Sequence, residues 1–272
     1  MMIFILRLKL IVGLFCTILL FHSCQNHKQT NKLQDEDEVI ELENSEKKIK
    51  DPKATEVWEP EPKVITFSDQ NVPSDAIVLF DGSNLEAWVS SKDSISEANW
   101  KVLPDKTMVV EPGGGDIQTK QQFGSVQLHL EWSAPDVIKG EGQGRGNSGI
   151  FFQNRYEIQI LDSYQNRTYA NGQAASLYKQ HIPLVNATKA PDQWQTYDII
   201  FHSPEFDKKG RKTKSGTVTV IHNGVVVQDH AEILGTTEYI GPPKNSTHGK
   251  GPLKLQDHGN YVQYRNIWVR EL

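Results

Sequence analysis

From residue 64 onward the chain repeats one pattern: a short apolar or alternating run, closed within a few residues by Gly, Pro, Asn or Asp. AIVLF (76–80) stops at Asp81-Gly82, and TMVVE (107–111) stops at Pro112 and three glycines. In SVQLHLEW (125–132) the residues Val126, Leu128, Leu130 and Trp132 share one face of a period-two strand, while Gln127, His129 and Glu131 share the other. SGIFFQ, YEIQIL and TYDIIF (196–201) follow, and YVQYRNIWV (261–269) closes the chain. TVTVIHNGVVVQ (217–228) reads as a hairpin, since Asn223-Gly224 supplies the positive φ angles of a two-residue type I′ turn. Helical periodicity is hard to find across this region. Short strands at close intervals, with turn chemistry between them, predict an all-β, two-sheet antiparallel sandwich of jelly-roll type.

The residues before this region read differently. Arg7 and Lys9 precede an apolar run, LIVGLFCTILLF, and FHSC then sets Ser23 before Cys24. That order is a lipoprotein leader over residues 1–24, with Cys24 lipidated as the new N-terminus and the protein exported and membrane-anchored, periplasmic or at the cell surface. The apolar run is too short for a span of ~20 residues. Residues 25–63 (DEDEVIELENSEKKIK, WEPEPK) are rich in charge and proline and read as a tether, which leaves 64–272 as the folded domain. The only cysteines, Cys16 and Cys24, lie in the leader, so an exported domain would rest on its core without a disulfide. A formal net charge of −5, with no basic stripe, argues against nucleic acid as a partner.

Three segments hold more polar side chains than solubility requires. In YEIQILDSY, Glu157 and Gln159 point one way and Tyr156, Ile158 and Ile160 the other; Asp162 would join Glu157 only through a bulge near Leu161. Such a strand is either a solvated edge or the polar wall of a sugar-processing site. GEGQGRGNSG (140–149) has no phosphate-loop ending; it would let backbone approach a ligand, with Arg145 and Asn147 as donors. LQDHGNYVQYRN (255–266) places Gln256, Asp257 and His258 before a turn and Arg265 after it, and an Asp-His pair can act as an oriented base. His222, beside the hairpin turn, reads as a surface residue. The scattered histidines show no metal-ligand spacing.

LFDGSNLEAW (79–88), GRGNSGIFFQ, YEIQILDSY, NATKAPDQWQTYDIIF (186–201), VIHNGVVVQD (220–229) and GPLKLQDHGNYVQYRNIWVREL (251–272) together resemble the 3-keto-disaccharide hydrolase family. The resemblance runs from Ile77 to Leu272; the GEGQ insertion before Arg145 and segment 236–249 look individual to this chain. It implies a concanavalin A-like jelly roll acting on glycosides oxidised to a ketone at C3, a small-molecule substrate. It further implies Glu157 and Asp162 as acid/base or metal-coordinating carboxylates, with His258, oriented by Asp257, as alternative base. Arg145, Asn147, Gln159, Gln256 and Arg265 would bind hydroxyls or an enolate, and Tyr178 and Trp194 would stack on the sugar. A divalent cation polarising the ketone suits ligands of these types. The competing readings are a non-catalytic carbohydrate-binding module, for which Glu157 would be exposed, and a conventional glucanase, for which Glu157 and Asp162 would lie as a matched pair about 5–5.5 Å apart.

Overall fold

The computed structural model describes residues 51–272. The leader, Cys24 and the tether up to residue 50 lie outside the described residues. The chain divides into two units, the shorter ending at Val64 and the longer running Ile65–Leu272.

The longer unit is built of strands. In its first part these are β1 (Ile77–Phe80), β2 (Trp88–Ser90), β3 (Lys101–Val102), β4 (Met108–Val109), β5 (Ile117–Phe123), β6 (Val126–Ser133), β7 (Ser148–Phe152) and β8 (Tyr156–Ile160). Then come β9 (Gln195–His202), β10 (Glu205–Phe206), β11 (Lys212–Lys214), β12 (Thr217–His222), β13 (Val225–Glu232), β14 (Gly251–Leu255) and β15 (Gln263–Glu271). All described pairings are antiparallel. One large sheet has the order β13-β12-β9-β6-β15-β4-β3, with β1 also pairing β15; the second has the order β2-β5-β14-β7-β8, and β10 and β11 form a separate two-stranded ribbon. The all-β, two-sheet antiparallel sandwich expected from the strand pattern is the fold.

The core lies between the sheets and follows the period-two pattern. Val126, Leu128, Leu130 and Trp132 of β6 are buried, against Tyr197, Ile199 and Phe201 of β9 and Ile158 and Ile160 of β8. The hairpin forms as expected, with φ of 53° at Asn223 and 81° at Gly224. His222, however, is not a surface residue. It shares the inner face of β12 with Val218 and Val220 and is 1% exposed, with the Tyr197 ring meeting it edge-on at 4.8 Å. Burial first, and then the charge of Lys189, lower its pKa to about 3, so it stays neutral.

Three strands of the smaller sheet have weak sequence signals. In β14 the cause is plain: GPLKL carries a proline inside a strand flanked on both sides. Pro252 is tolerated because the pairing with β5 shifts between Pro252 and Lys254, while β7 pairs only Lys254 and Leu255.

Candidate active site

Strand β8 positions the centre of the site. Its pairing with β7 runs without a register shift, which keeps Tyr156, Ile158 and Ile160 in the core and turns Glu157 and Gln159 to the opposite face. Glu157 sits opposite Phe151 of β7, and Phe151 sits opposite Lys254 of β14, so these three side chains cross one face in a row. The far edge of β8 is closed by segment 175–178. There Ala175 N donates to Gln159 O (2.9 Å), Gln159 N to Ser176 O (3.0 Å) and Tyr178 N to Glu157 O (3.0 Å). Glu157 N donates to Thr237 Oγ1 (3.0 Å), which ties segment 236–249 to the same strand.

Above this face lies a cleft of about 680 Å³, lined by Glu157, Gln159 and Phe151 from the sheet. Its walls come from Gln143, Gly144 and Asn147, from Tyr169, Tyr178 and Lys179, from Thr237 and Tyr239, and from Gln256 and His258. Glu157 is 5% exposed and makes no ion pair among the described residues. Burial raises its pKa to about 8, against the smaller lowering influence of Lys254 and Lys179, while Asp116 pushes the same way as burial. Gly149 makes room for the carboxyl, since a Cβ there would stand 2.7 Å from Glu157 Oε1. Gln159 Nε2 donates to Gln143 Oε1 (2.9 Å); with the amide reversed it would instead donate to Ser148 O (3.0 Å) and Glu157 Oε1 (3.2 Å). The ionised carboxylate would favour that reversal.

Two amide oxygens belonging to cleft residues have no partner among the described residues. Asn147 is 2% exposed; its Nδ2 donates to Gln143 O (2.6 Å), yet its Oδ1 is orphaned. Gln256 Oε1 is likewise buried and orphaned. Leaving a buried acceptor unpaired costs ~1–3 kcal/mol, so a ligand with hydroxyl donors would satisfy groups that the fold leaves open. Tyr169 and Tyr178 join hydroxyl to hydroxyl, and burial raises the pKa of both, which keeps them phenols.

The structure brings together Glu157, Gln159, Asn147, Tyr178, Gln256 and His258 out of the sequence candidates, and places the rest elsewhere. β8 ends at Ile160, where Ile160 and Leu161 both enter the core; Asp162 N donates to Arg145 O (3.3 Å) and Gly146 O (3.2 Å), and Asp162 lines a different cavity from Glu157. There Arg145 Nε donates to Asp162 Oδ2 (2.6 Å) and Arg145 Nη2 to Tyr164 O (2.9 Å), beside a separate cavity of about 560 Å³. Glu157 and Asp162 line different cavities, and Asp162 is engaged by Arg145, an arrangement unlike the two carboxyls of a glucanase facing one bond. Asp257 does not orient His258. Its Oδ2 accepts from Gly113 N (2.8 Å) and Gly115 N (3.0 Å), and its Oδ1 accepts from Gly259 N (2.9 Å), so it clamps two loops. Arg265 bonds Glu131 through Nε (2.7 Å) and lies 4.0 Å over the Trp194 ring, on the larger sheet and outside the cleft. Among the described residues no three His, Cys, Asp or Glu side chains converge as a metal site.

Lys179, Tyr169, Gln143 and Phe151 are cleft residues that sequence reasoning missed. Gln143 stands within the GEGQ insertion, and Thr237 and Tyr239 stand within 236–249, so those two idiosyncratic segments were the available signal. Nothing in the sequence marks Lys179.

A family model described as a 3-keto-alpha-glucoside-1,2-lyase-like domain matches residues 75–270. The 3-keto-disaccharide hydrolase of Bacteroides thetaiotaomicron is 26% identical in an alignment covering 92% of this chain and 93% of that protein. A crystal structure from Parabacteroides distasonis, of a provisionally assigned glycosyl hydrolase, is 51% identical with a TM-score of 0.78, over 82% of this chain and 97% of that one. A second structure from the same organism, with the same provisional assignment, is 19% identical with a TM-score of 0.53, over 73% and 94%, and shares the fold.

Proposed function

Given that this chain belongs to the family of 3-keto-alpha-glucoside-1,2-lyase-like domains, and so to enzymes acting on glycosides, we propose that it cleaves 3-keto-glycosides by elimination followed by hydration. The ketone at C3 acidifies the proton on C2. Glu157 takes that proton as its carboxylate, and the C2–H electron pair moves into C2–C3, leaving the negative charge on the C3 oxygen. The pair then returns: C3=O reforms, C1=C2 forms, and the C1–O bond breaks. The leaving oxygen accepts a proton from His258, the imidazole that lines the cleft. Water next adds its oxygen to C1 and gives up a proton to His258, while Glu157 delivers a proton to C2, so both groups are reset and the sum is hydrolysis to a 3-keto sugar and an alcohol.

The observation supporting this reading is a buried carboxyl with no ion partner and a pKa near 8, in a cleft with two orphaned amide oxygens. A base that strong, desolvated and close to neutral titration, suits removal of a carbon-bound proton. A binding module has no use for such a carboxyl, and a retaining glucanase would need a second one beside it. Asn147 and Gln256 would accept hydroxyl donors of the sugar, Gln159 would donate to the Glu157 carboxylate, and Tyr178 would flank the ring.

The test mixes the purified chain with a 3-keto-glucoside and with its unoxidised parent, with and without chelator, and repeats both with Glu157→Gln. Release from the keto form alone, lost in the variant, is expected; loss on chelation would assign a cation at the ketone. Cleavage of the parent would mean an ordinary glycosidase, and sugar binding without release would mean a binding module. The leader supports the further proposal of export and anchoring through Cys24. Fatty-acid labelling in growing cells should vanish in Cys24→Ala; persistence of the label would refute the anchor.

A further inference from the structure

An enolate needs a positive donor at the oxygen where charge appears, fixed before the reaction begins. The two arginines that the sequence offered for this are committed elsewhere, Arg145 to Asp162 and Arg265 to Glu131. Of the described residues lining the cleft, Lys179 is the only lysine or arginine. Resting on the keto-glycoside reading, we propose that Lys179 is a catalytic residue whose ammonium holds the C3 oxygen of the substrate as it becomes an enolate.

Three features support this. First, Lys179 occupies a left-handed backbone conformation, with φ of 58°. Asparagine or glycine is at home there, whereas lysine gains nothing from it, and such residues cost on the order of 1–3 kcal/mol. The turn is fixed by Lys179 N donating to Asn171 O (2.8 Å) and by the Leu177↔His181 bridge. That conformation delivers the side chain into the cleft. Second, the ammonium is held by π faces rather than by a carboxylate. It lies 4.3 Å from the Tyr239 ring centroid, 5.5 Å from that of Tyr178 and 5.6 Å from that of Tyr169. Its one hydrogen bond among the described residues is to Tyr239 O. Lys254 makes the contrast, since it is neutralised by Asp116 at 2.9 Å. A cation surrounded by neutral rings keeps its charge for an anion that develops later, and an ammonium has three donors to give. Third, Lys179 and Glu157 line the same cleft, so base and cation face one ligand space. A proton removed at C2 and a charge received at the C3 oxygen lie on adjacent carbons, which one bound sugar can present to both.

The alternative role for Lys179 is structural, a staple that holds the Tyr239 lip through its carbonyl. The two roles separate kinetically. Lys179→Asn suits the backbone and removes the charge; Lys179→Arg keeps the charge. With the purified full chain and a 3-keto-glucoside, Lys179→Asn should lower kcat ~10²–10³-fold, the range for loss of one oxyanion donor. KM, the melting temperature and binding of the unoxidised parent glucoside should stay close to wild type, and Lys179→Arg should recover part of kcat. A raised KM with kcat near wild type would leave only the staple and overturn the proposal. So would a Lys179-dependent mass increment on wild type after substrate and cyanoborohydride, which would mean a covalent imine. Wild type inert on the keto-glycoside would remove the underlying reaction and Lys179 with it. Wild type active with Lys179→Asn unimpaired would remove Lys179 alone.

Discussion

Two glutamates on strands of different sheets have opposite fates. Glu131, on the outer face of β6, is held by Arg265 Nε (2.7 Å) and Asn266 Nδ2 (3.1 Å), beside a His129 that Asp198 also contacts at 2.6 Å. Partial burial alone would raise its pKa, but His129, Asn266 and Arg265 reverse that and bring it to about 2. Glu157, on β8, has burial without a partner, and its pKa rises to about 8. The same side chain is a fixed anion in one place and a titrating base in the other. Charge that is paired where it stands contributes to the fold; charge left unpaired at a cost is available for chemistry. His129 belongs to the first kind: burial would lower its pKa, yet Asp198 and Glu131 raise it to about 9.

The contrast breaks most visibly at the base itself. Glu157→Gln should lower release from a 3-keto-glucoside by ~10³-fold, within the range for a general base, while Glu131→Gln leaves the rate near wild type; equal losses would erase the distinction. Next in size is pH. Glu157 is half in its carboxylate form at pH 8 and about 1% so at pH 6, so kcat/KM should drop roughly 50-fold between the two. A flat profile over that range would remove Glu157 as base. Gly149→Ala should displace the carboxyl, since the new Cβ would lie 2.7 Å from Glu157 Oε1. It should cost ~10-fold in kcat, as expected when a reacting group is mispositioned, and the readout is kcat beside an unchanged melting temperature.

Stability should respond as well, and the sign of the response differs between the two glutamates. The folded pKa of Glu157 lies above its unfolded value, so the ionised form opposes folding, and the cost grows between about pH 4.5 and 8. Glu157→Gln should then raise stability at pH 8 by up to about 4 kcal/mol, and the gain should vanish near pH 4. The folded pKa of Glu131 is depressed, so its contribution is present above its unfolded pKa and is lost as pH falls through about 2. Glu131→Gln should cost ~1 kcal/mol at pH 7, discounted for solvent screening. Thermal melts at pH 4, 7 and 8 check the pair.

Much of the sandwich was legible because its strands obey the alternation that burial on one face enforces. β6 and β12 show it residue by residue, and Asn223-Gly224 fixes the hairpin. β14 escaped because its proline is permitted only by a register shift set by its neighbours. The polar face of β8 could be read from Glu157 and Gln159, since period two leaves no other choice. Asp162 misled because it lies past the strand end, where parity no longer governs direction. Asp257 and His258 are adjacent in the chain, but adjacency says nothing about which amides will claim a carboxylate, and Gly113 and Gly115 come from a loop 142 to 144 residues away. Lys179 was invisible for the same reason: its place depends on a left-handed turn and on tyrosines drawn from three parts of the chain.

The most direct measurement uses a 3-keto-glucoside deuterated at C2, with leaving-group release and loss of the label followed together in wild type and Glu157→Gln. If Glu157 removes the C2 proton, the label should leave in step with the alcohol, release should be slower than from the protio substrate, and both should fail in the variant. Release at the protio rate with the label fully retained at C2 would contradict proton abstraction and, with it, the role assigned to Glu157.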